Sequence, residues 1–199
     1  MCGRYSLATP PDQLADHFQA ALPPDWQPSL NAAPGQSLPV LLEPGRFALL
    51  TWGYTPSWAK TRLINARAET LTEKPTFRAA FQARRCLVPA DGFYEWQTLP
   101  NGAKQPIRFG LQDGAPFAFG GFWLQEGDSP PAFLIITTAP NALVAPVHNR
   151  MPVILPPERY AAWLDPAAPL AALQPALQAY PAEGMLSQLA DPAVLRRFV

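Results

Sequence analysis

The sequence predicts an α+β fold built on a mainly antiparallel, barrel-like β-sheet with helices at its periphery. Three observations carry this: short apolar runs of four to eight residues recur along the chain, 26 prolines lie scattered between them, and helical spacing shows only in brief patches. Average usage of ~5 % would give about ten prolines in a chain of this length, so many short elements joined by rigid loops are expected, not a disordered tract. A hydrophobic content of 48 % with 11 % aromatics is enough for a core, and the 199 residues carry no internal repeat or long linker. One domain over residues 1–199 is therefore expected.

The first element is a helix. Pro10-Pro11-Asp12 behind Thr9 is a start signal, and Leu14, Phe18 and Leu22 recur every four residues until Pro23-Pro24 stops the pattern. His17 falls off that stripe and is expected at the surface. Strands are expected at Leu38–Leu42, Phe47–Gly53, Cys86–Pro89, Phe93–Gln97, Ile107–Leu111, Phe117–Leu124, Phe133–Thr138 and Pro152–Leu155. Pro100-Asn101-Gly102 is a turn signal that makes Phe93–Gln97 and Ile107–Leu111 a hairpin. Helical patches fall at about 76–84, 157–164 and 169–179, the last presenting Leu170, Leu173 and Leu177 on one side until Pro175 interrupts it.

The formal net charge is zero, but it is unevenly spread. Residues 1–110 carry 11 basic and 8 acidic side chains, and within 58–89 there are 7 basic to 2 acidic. Arginine supplies 12 of the 15 cations, and its planar fork suits phosphate better than an ammonium does. No run of 18 apolar residues and no basic start followed by an apolar core is present, so a cytoplasmic protein without a membrane segment is expected. Two cysteines make no disulfide framework, and no Cys/His cluster has zinc-ligand spacing, so no metal or cofactor is expected.

Cys2 is the most informative residue. Removal of Met1 would leave a cysteine carrying a free α-amine and a thiol on adjacent carbons. The amine, with a reference pKa of ~7.7–8.0, condenses with an aldehyde to a Schiff base, and the thiol then closes onto the imine carbon to give a thiazolidine. Gly3 admits close approach of another molecule, and Arg4 places a cation beside the nucleophile. Cys86, inside an apolar run, reads as a buried small hydrophobe.

Four segments resemble a known family. Met1-Cys2-Gly3-Arg4-Tyr5, Asn65-Ala66-Arg67-Ala68-Glu69-Thr70, Arg85 through Trp96 and His148-Asn149-Arg150-Met151-Pro152 are similar, in order, to the SOS-response-associated peptidase (SRAP) family. The resemblance implies covalent capture of abasic sites in single-stranded DNA through Cys2, protecting or processing the lesion, with associated lyase, crosslink-reversal and autoproteolytic activities. It implies Cys2, Asn65, Glu95 and His148 as the catalytic set. Asn65 would hold a sugar oxygen or orient the Cys2 amine. Glu95, among aromatics, would do acid/base work, and the His148 imidazole would move protons among the amine, the sugar hydroxyl and the leaving phosphate.

The implied DNA contacts are Arg4, Arg67 and Arg85 to phosphates, Asn31 near the strand, Trp52, Trp58 and Trp96 to bases, and Thr137 or Thr138 to phosphate. Trp123 and Trp163 are left in the core. The tail Leu186–Val199 is shorter than the family's closing segment. The implied partner is single-stranded DNA bearing abasic sites, engaged by a monomer that is nucleoid-associated when bound. An N-terminal nucleophile amidohydrolase, a peptidase not acting on DNA, and a noncatalytic single-strand binder are the alternatives; each accounts for only part of these residues.

Overall fold

The computed structural model describes residues 2–57, 59–73 and 75–195. Among them the chain forms β1 (Tyr5–Leu7), α1 (Pro11–Phe18), β2 (Ser29–Ala32), β3 (Ser37–Glu43), β4 (Arg46–Trp52), β5 (Asn65–Arg67), α2 (Pro75–Ala83), β6 (Arg85–Ala90), β7 (Gly92–Thr98), β8 (Lys104–Leu111), β9 (Phe117–Leu124), β10 (Ala132–Thr138), β11 (Met151–Pro152), β12 (Ile154–Leu155), α3 (Tyr160–Leu164), α4 (Leu170–Leu173) and β13 (Met185–Leu189). Five strands make one sheet in the order β13-β8-β7-β1-β2. In the second sheet β10, β4, β3, β6 and β9 follow one another, and β10 also pairs with β9, which closes a five-stranded barrel. Only the pairings of β10 with β4 and with β5 are parallel among the described strands. The expected α+β architecture, barrel-like and mainly antiparallel with helices outside, is what the chain adopts.

Every strand expected from an apolar run is present, with one division. The Pro152–Leu155 run splits at Val153, whose N–H bonds to the Ile136 carbonyl, so that β11 pairs with β10 and β12 with β9. The β7–β8 hairpin forms as read, in register Phe93↔Phe109 to Thr98↔Lys104. Its turn uses Gly102 at φ +79 and the Asn101 side-chain Oδ1, which accepts the Ala103 N–H. Helix α1 is shorter than expected. It buries Leu14 and Phe18 but ends where Gln19 turns left-handed at φ 49, so Leu22 lies beyond it and Ala21 bridges to Arg46 instead. At 169–179, α4 gives way to a 3-10 turn at Gln174–Leu177, where Pro175 sits in the first turn and its missing N–H costs no bond.

The two sheets share one core. Tyr5 on β1 packs against Trp52 of the barrel with ring centroids 5.2 Å apart and edge-on to Phe119 at 5.7 Å, and all three rings are buried. Aromatic pairs of this kind add ~0.5–1.5 kcal/mol beyond the area they bury. Trp163 is also interior and donates its indole N–H to the Cys86 carbonyl, as expected of a core residue. Trp123 is only partly covered, with the Arg84 guanidinium 5.3 Å over its ring.

The short strand β1 is fastened by Asp91. One carboxylate oxygen accepts the Ala8 N–H at 2.5 Å, the Thr9 N–H at 2.8 Å and the Thr9 hydroxyl at 3.0 Å; the other meets Arg108 at 3.0 Å. Burial by itself would raise the carboxyl, but the donors around it, Ser6, Thr9 and Ala8, together hold it below the usual aspartate range. A depressed folded-state value stabilises the fold above the unfolded pKa, and that contribution disappears as pH falls through the folded one. Asp91→Asn is therefore expected to lower unfolding free energy at pH 7 by ~2–4 kcal/mol in urea titration. The deficit should shrink towards pH 3; an equal deficit at pH 3 and pH 7 would show that the charge is not what fastens the strand.

Candidate active site

Cys2 lies just ahead of β1, which runs antiparallel to β7 with Tyr5 opposite Phe93 and with the Tyr94 N–H bonded to the Arg4 carbonyl. Continuing that register places Glu95 of β7 beside the first residues of the chain. Asn65 opens β5 and donates its amide N–H to the Cys2 carbonyl at 2.9 Å. The Cys2 side chain is fully buried, and its thiol donates to the Arg4 carbonyl at 3.7 Å. Burial first, and then the neighbouring Glu95 charge, push the thiol well above its ordinary value, so it is held neutral. The Asn65 carbonyl oxygen is buried without a hydrogen-bond partner among the described residues.

Glu95 is 3 % exposed, and burial raises its carboxyl to about 7. One of its oxygens lies 3.8 Å from His148 Nε2. The His148 ring is fixed from behind: Nδ1 accepts the Arg150 N–H at 3.0 Å, and the Arg150 carbonyl is 3.2 Å away. The N–H is a fixed donor, so a neutral ring carries its proton on Nε2, towards Glu95. Protonation makes Nδ1 a donor to that carbonyl, so both charge states have an anchor. Burial lowers the imidazole from its ordinary value, which leaves it mostly neutral at pH 7. Cys2, Asn65, Glu95 and His148, far apart in the chain, thus converge on one place.

The side chains expected on DNA divide into two groups. Arg4 and Trp96 are half-buried beside the site, Arg67 is exposed at the end of β5, and Asn31 is buried on β2, next to β1. Trp52, Arg85 and Thr137 are interior instead. Trp52 stacks on Phe133 at 6.3 Å and donates its N–H to the Ile64 carbonyl, which leaves no face for a base. The Arg85 guanidinium is committed to the main-chain carbonyls of Trp163, Phe81, Gln82 and Asp165. Thr137 is fully buried with its hydroxyl towards the Ala66 carbonyl, and Thr138 is buried as well. Trp58 lies outside the described residues. His17 is partly covered, 3.4 Å from the Tyr160 hydroxyl, at the rim of an apolar cavity of about 320 Å³ that does not include Cys2.

A clamp beside the site does not follow from the expected catalytic set. Arg150 grips Glu69 bidentately at 2.6 and 2.9 Å and also bonds the Thr137 carbonyl at 2.5 Å, holding the segment that carries His148. Glu69 stands in the Asn65–Thr70 segment and Arg150 two residues after His148, and that spacing is the sequence signal for the clamp. Among the described residues no group of three or more His, Cys, Asp or Glu side chains is arranged to hold a metal ion. No helix among them is long and apolar enough to cross a membrane.

Residues 1–195 match the family described as SOS response associated peptidase (SRAP). Two Bacillus subtilis (strain 168) proteins, abasic site processing protein YoqW and abasic site processing protein YoaM, are each 41 % identical to the chain. The alignments cover 93 % of this chain and 90 % of YoqW, and 83 % of this chain and 80 % of YoaM. A crystal structure of a protein from Bacteroides thetaiotaomicron superposes over the whole of both chains with a TM-score of 0.86 at 23 % identity, a likeness of fold.

The raised Glu95 carboxyl has a measurable consequence. A folded-state pKa above the unfolded value stabilises the fold below the unfolded pKa, and that contribution is lost as pH rises through the folded one, here from about 4.5 to about 7. Relative to Glu95→Gln, the parent should therefore lose stability on the order of 3 kcal/mol between pH 4.5 and 8 in urea unfolding. A constant difference across that range would mean that the carboxyl titrates as in water.

Proposed function

The chain belongs to the SOS response associated peptidase (SRAP) family, and we propose that it captures abasic sites in single-stranded DNA covalently, through the amine and thiol of Cys2 after Met1 is removed. The observation that carries this reading is the gathering of a carboxyl titrating near 7, an anchored imidazole and an amide around one N-terminal cysteine.

The steps follow from the ring-opened sugar, which presents an aldehyde. The Cys2 amine adds to that carbon to give a carbinolamine. Glu95, about half protonated at neutral pH, gives its proton to the carbinolamine hydroxyl, which leaves as water. The nitrogen lone pair forms the iminium, whose N–H proton returns to the Glu95 carboxylate to leave the imine. The neutral thiol then adds: sulfur bonds the imine carbon and its proton passes to nitrogen, closing a thiazolidine with one water released overall. Asn65 holds the Cys2 carbonyl and so fixes the direction of the amine. The His148 Nε2–H is a donor for the sugar hydroxyl or for a departing phosphate, which supports a lyase or reversal branch through the imine.

Arg4 and Arg67 grip flanking phosphates, and Trp96 offers a partly exposed ring for a base. One copy of the chain carries the whole set, so the protein acts as a monomer in the cytoplasm, on the nucleoid when bound.

The test is incubation with abasic single-stranded DNA followed by a denaturing gel and intact-mass measurement. A heat-resistant shifted band is expected from a chain lacking Met1 and from no Cys2→Ala sample. Glutamine or peptide hydrolysis without such a band would replace this reading with an amidohydrolase or peptidase. Glu95→Gln should slow crosslinking by ~10²–10⁴-fold while leaving affinity for single-stranded DNA in place. His148→Ala should change reversal or strand cleavage more than initial binding; unaltered reversal and cleavage would remove its role.

A further inference from the structure

We propose that Arg62 forms a phosphate subsite for the DNA strand, its side chain laid in advance across a saddle made by Gly35 and Gly53. The inference rests on the reading of the protein as a single-stranded-DNA binder.

The geometry of the saddle is specific. A Cβ at Gly35 would stand 2.2 Å from Arg62 Nη1, and one at Gly53 would stand 2.6 Å from its Cδ and 2.8 Å from its Cγ. The stem therefore occupies the space a side chain would take at Gly53, and the guanidinium that at Gly35. Both glycines have left-handed backbone, φ +94 and +100, where other residues are strained. Both are pinned: the Gly35 N–H bonds the Trp52 carbonyl at 2.8 Å, and the Gly53 N–H the Phe133 carbonyl at 2.9 Å.

The contrast with Arg85 separates a structural arginine from a binding one. Arg85 is buried and spends its donors on carbonyls, whereas Arg62 is exposed and has no hydrogen bond or ion pair among the described residues. An arginine normally gives up rotamer freedom on meeting a phosphate. Here the groove has already restricted the stem while the fork stays open for bidentate contact. The place also fits. Gly35 lies in the turn after β2, which carries Asn31, and Arg62 precedes by three residues the Asn65 that holds Cys2. A strand whose abasic sugar sits at Cys2 would bring a neighbouring phosphate past this side.

The experiment is fluorescence anisotropy of the full chain with an oligonucleotide carrying a tetrahydrofuran abasic analogue, which lacks the aldehyde, titrated across salt concentrations. Arg62→Ala is expected to weaken binding about tenfold at low salt and to flatten the slope of log K against log salt by ~0.7, one single-strand phosphate. Arg62→Lys should keep the slope and recover only part of the affinity. Gly35→Ala, checked for its thermal midpoint, should weaken binding while Arg62 remains, because it lifts the guanidinium from its bed. An Arg62→Ala slope equal to the parent's, with the parent binding and crosslinking, would overturn the subsite alone. A parent that neither binds the analogue nor crosslinks abasic DNA would overturn the underlying reading.

Discussion

The site depends on a strand of three residues, Tyr5–Leu7, staying fixed between β7 and β2. A strand this short gains little from its own ladder, so other interactions must set its position. Two do so. The Tyr5 ring is wedged between Trp52 and Phe119 in the shared core, and the Asp91 carboxylate gathers the N–H groups of Ala8 and Thr9 just past the strand's end. Asn65 then ties the opposite end through the Cys2 carbonyl. Cys2, the proposed nucleophile, therefore sits on backbone constrained from both sides, the condition for a bimolecular attack to proceed at a defined geometry.

The same burial that fixes Cys2 sets the order of the steps proposed for it. A thiol held neutral is a poor first nucleophile. In the proposed capture the amine therefore begins, and the sulfur follows intramolecularly once an imine stands beside it. The Arg150–Glu69 clamp serves this arrangement from a distance, because it secures the turn whose main chain holds the His148 ring at Nδ1.

Much of the barrel was legible because its strands are apolar runs long enough to declare themselves; Phe117–Leu124 coincides with its run end to end. β1, β2 and β5 were not legible. They span three, four and three residues, too few for a period to show, and their extended form is imposed by the partners on either side. Gln19 was missed because a left-handed residue other than glycine leaves no compositional mark. At the site, Cys2, Asn65, Glu95 and His148 were legible through their motifs, and the structure brings them together. Residue type misled at Trp52, Arg85 and Thr137, where an aromatic ring, a guanidinium and a hydroxyl that could meet DNA are consumed inside. Arg85 carried a warning: it directly precedes a run of apolar residues, and all six residues of β6 are buried.

To hold a polyanion, as the proposed function requires, a chain of zero net charge relies on the placement of a few cations, not on its overall field. Several of its arginines are already engaged, Arg85 with carbonyls, Arg108 with Asp91 and Arg150 with Glu69, so the sites of phosphate contact are few and local. In that setting an ionised carboxylate next to the sugar would repel the strand it serves. Burial resolves the conflict, since Glu95, raised to about 7, is largely neutral below that pH and able to give up a proton. Above it, the acid and its compatibility with phosphate disappear together. One physical cause, removal of the carboxyl from water, therefore underlies both the chemistry proposed at Cys2 and the electrostatic tolerance for DNA that the proposal requires.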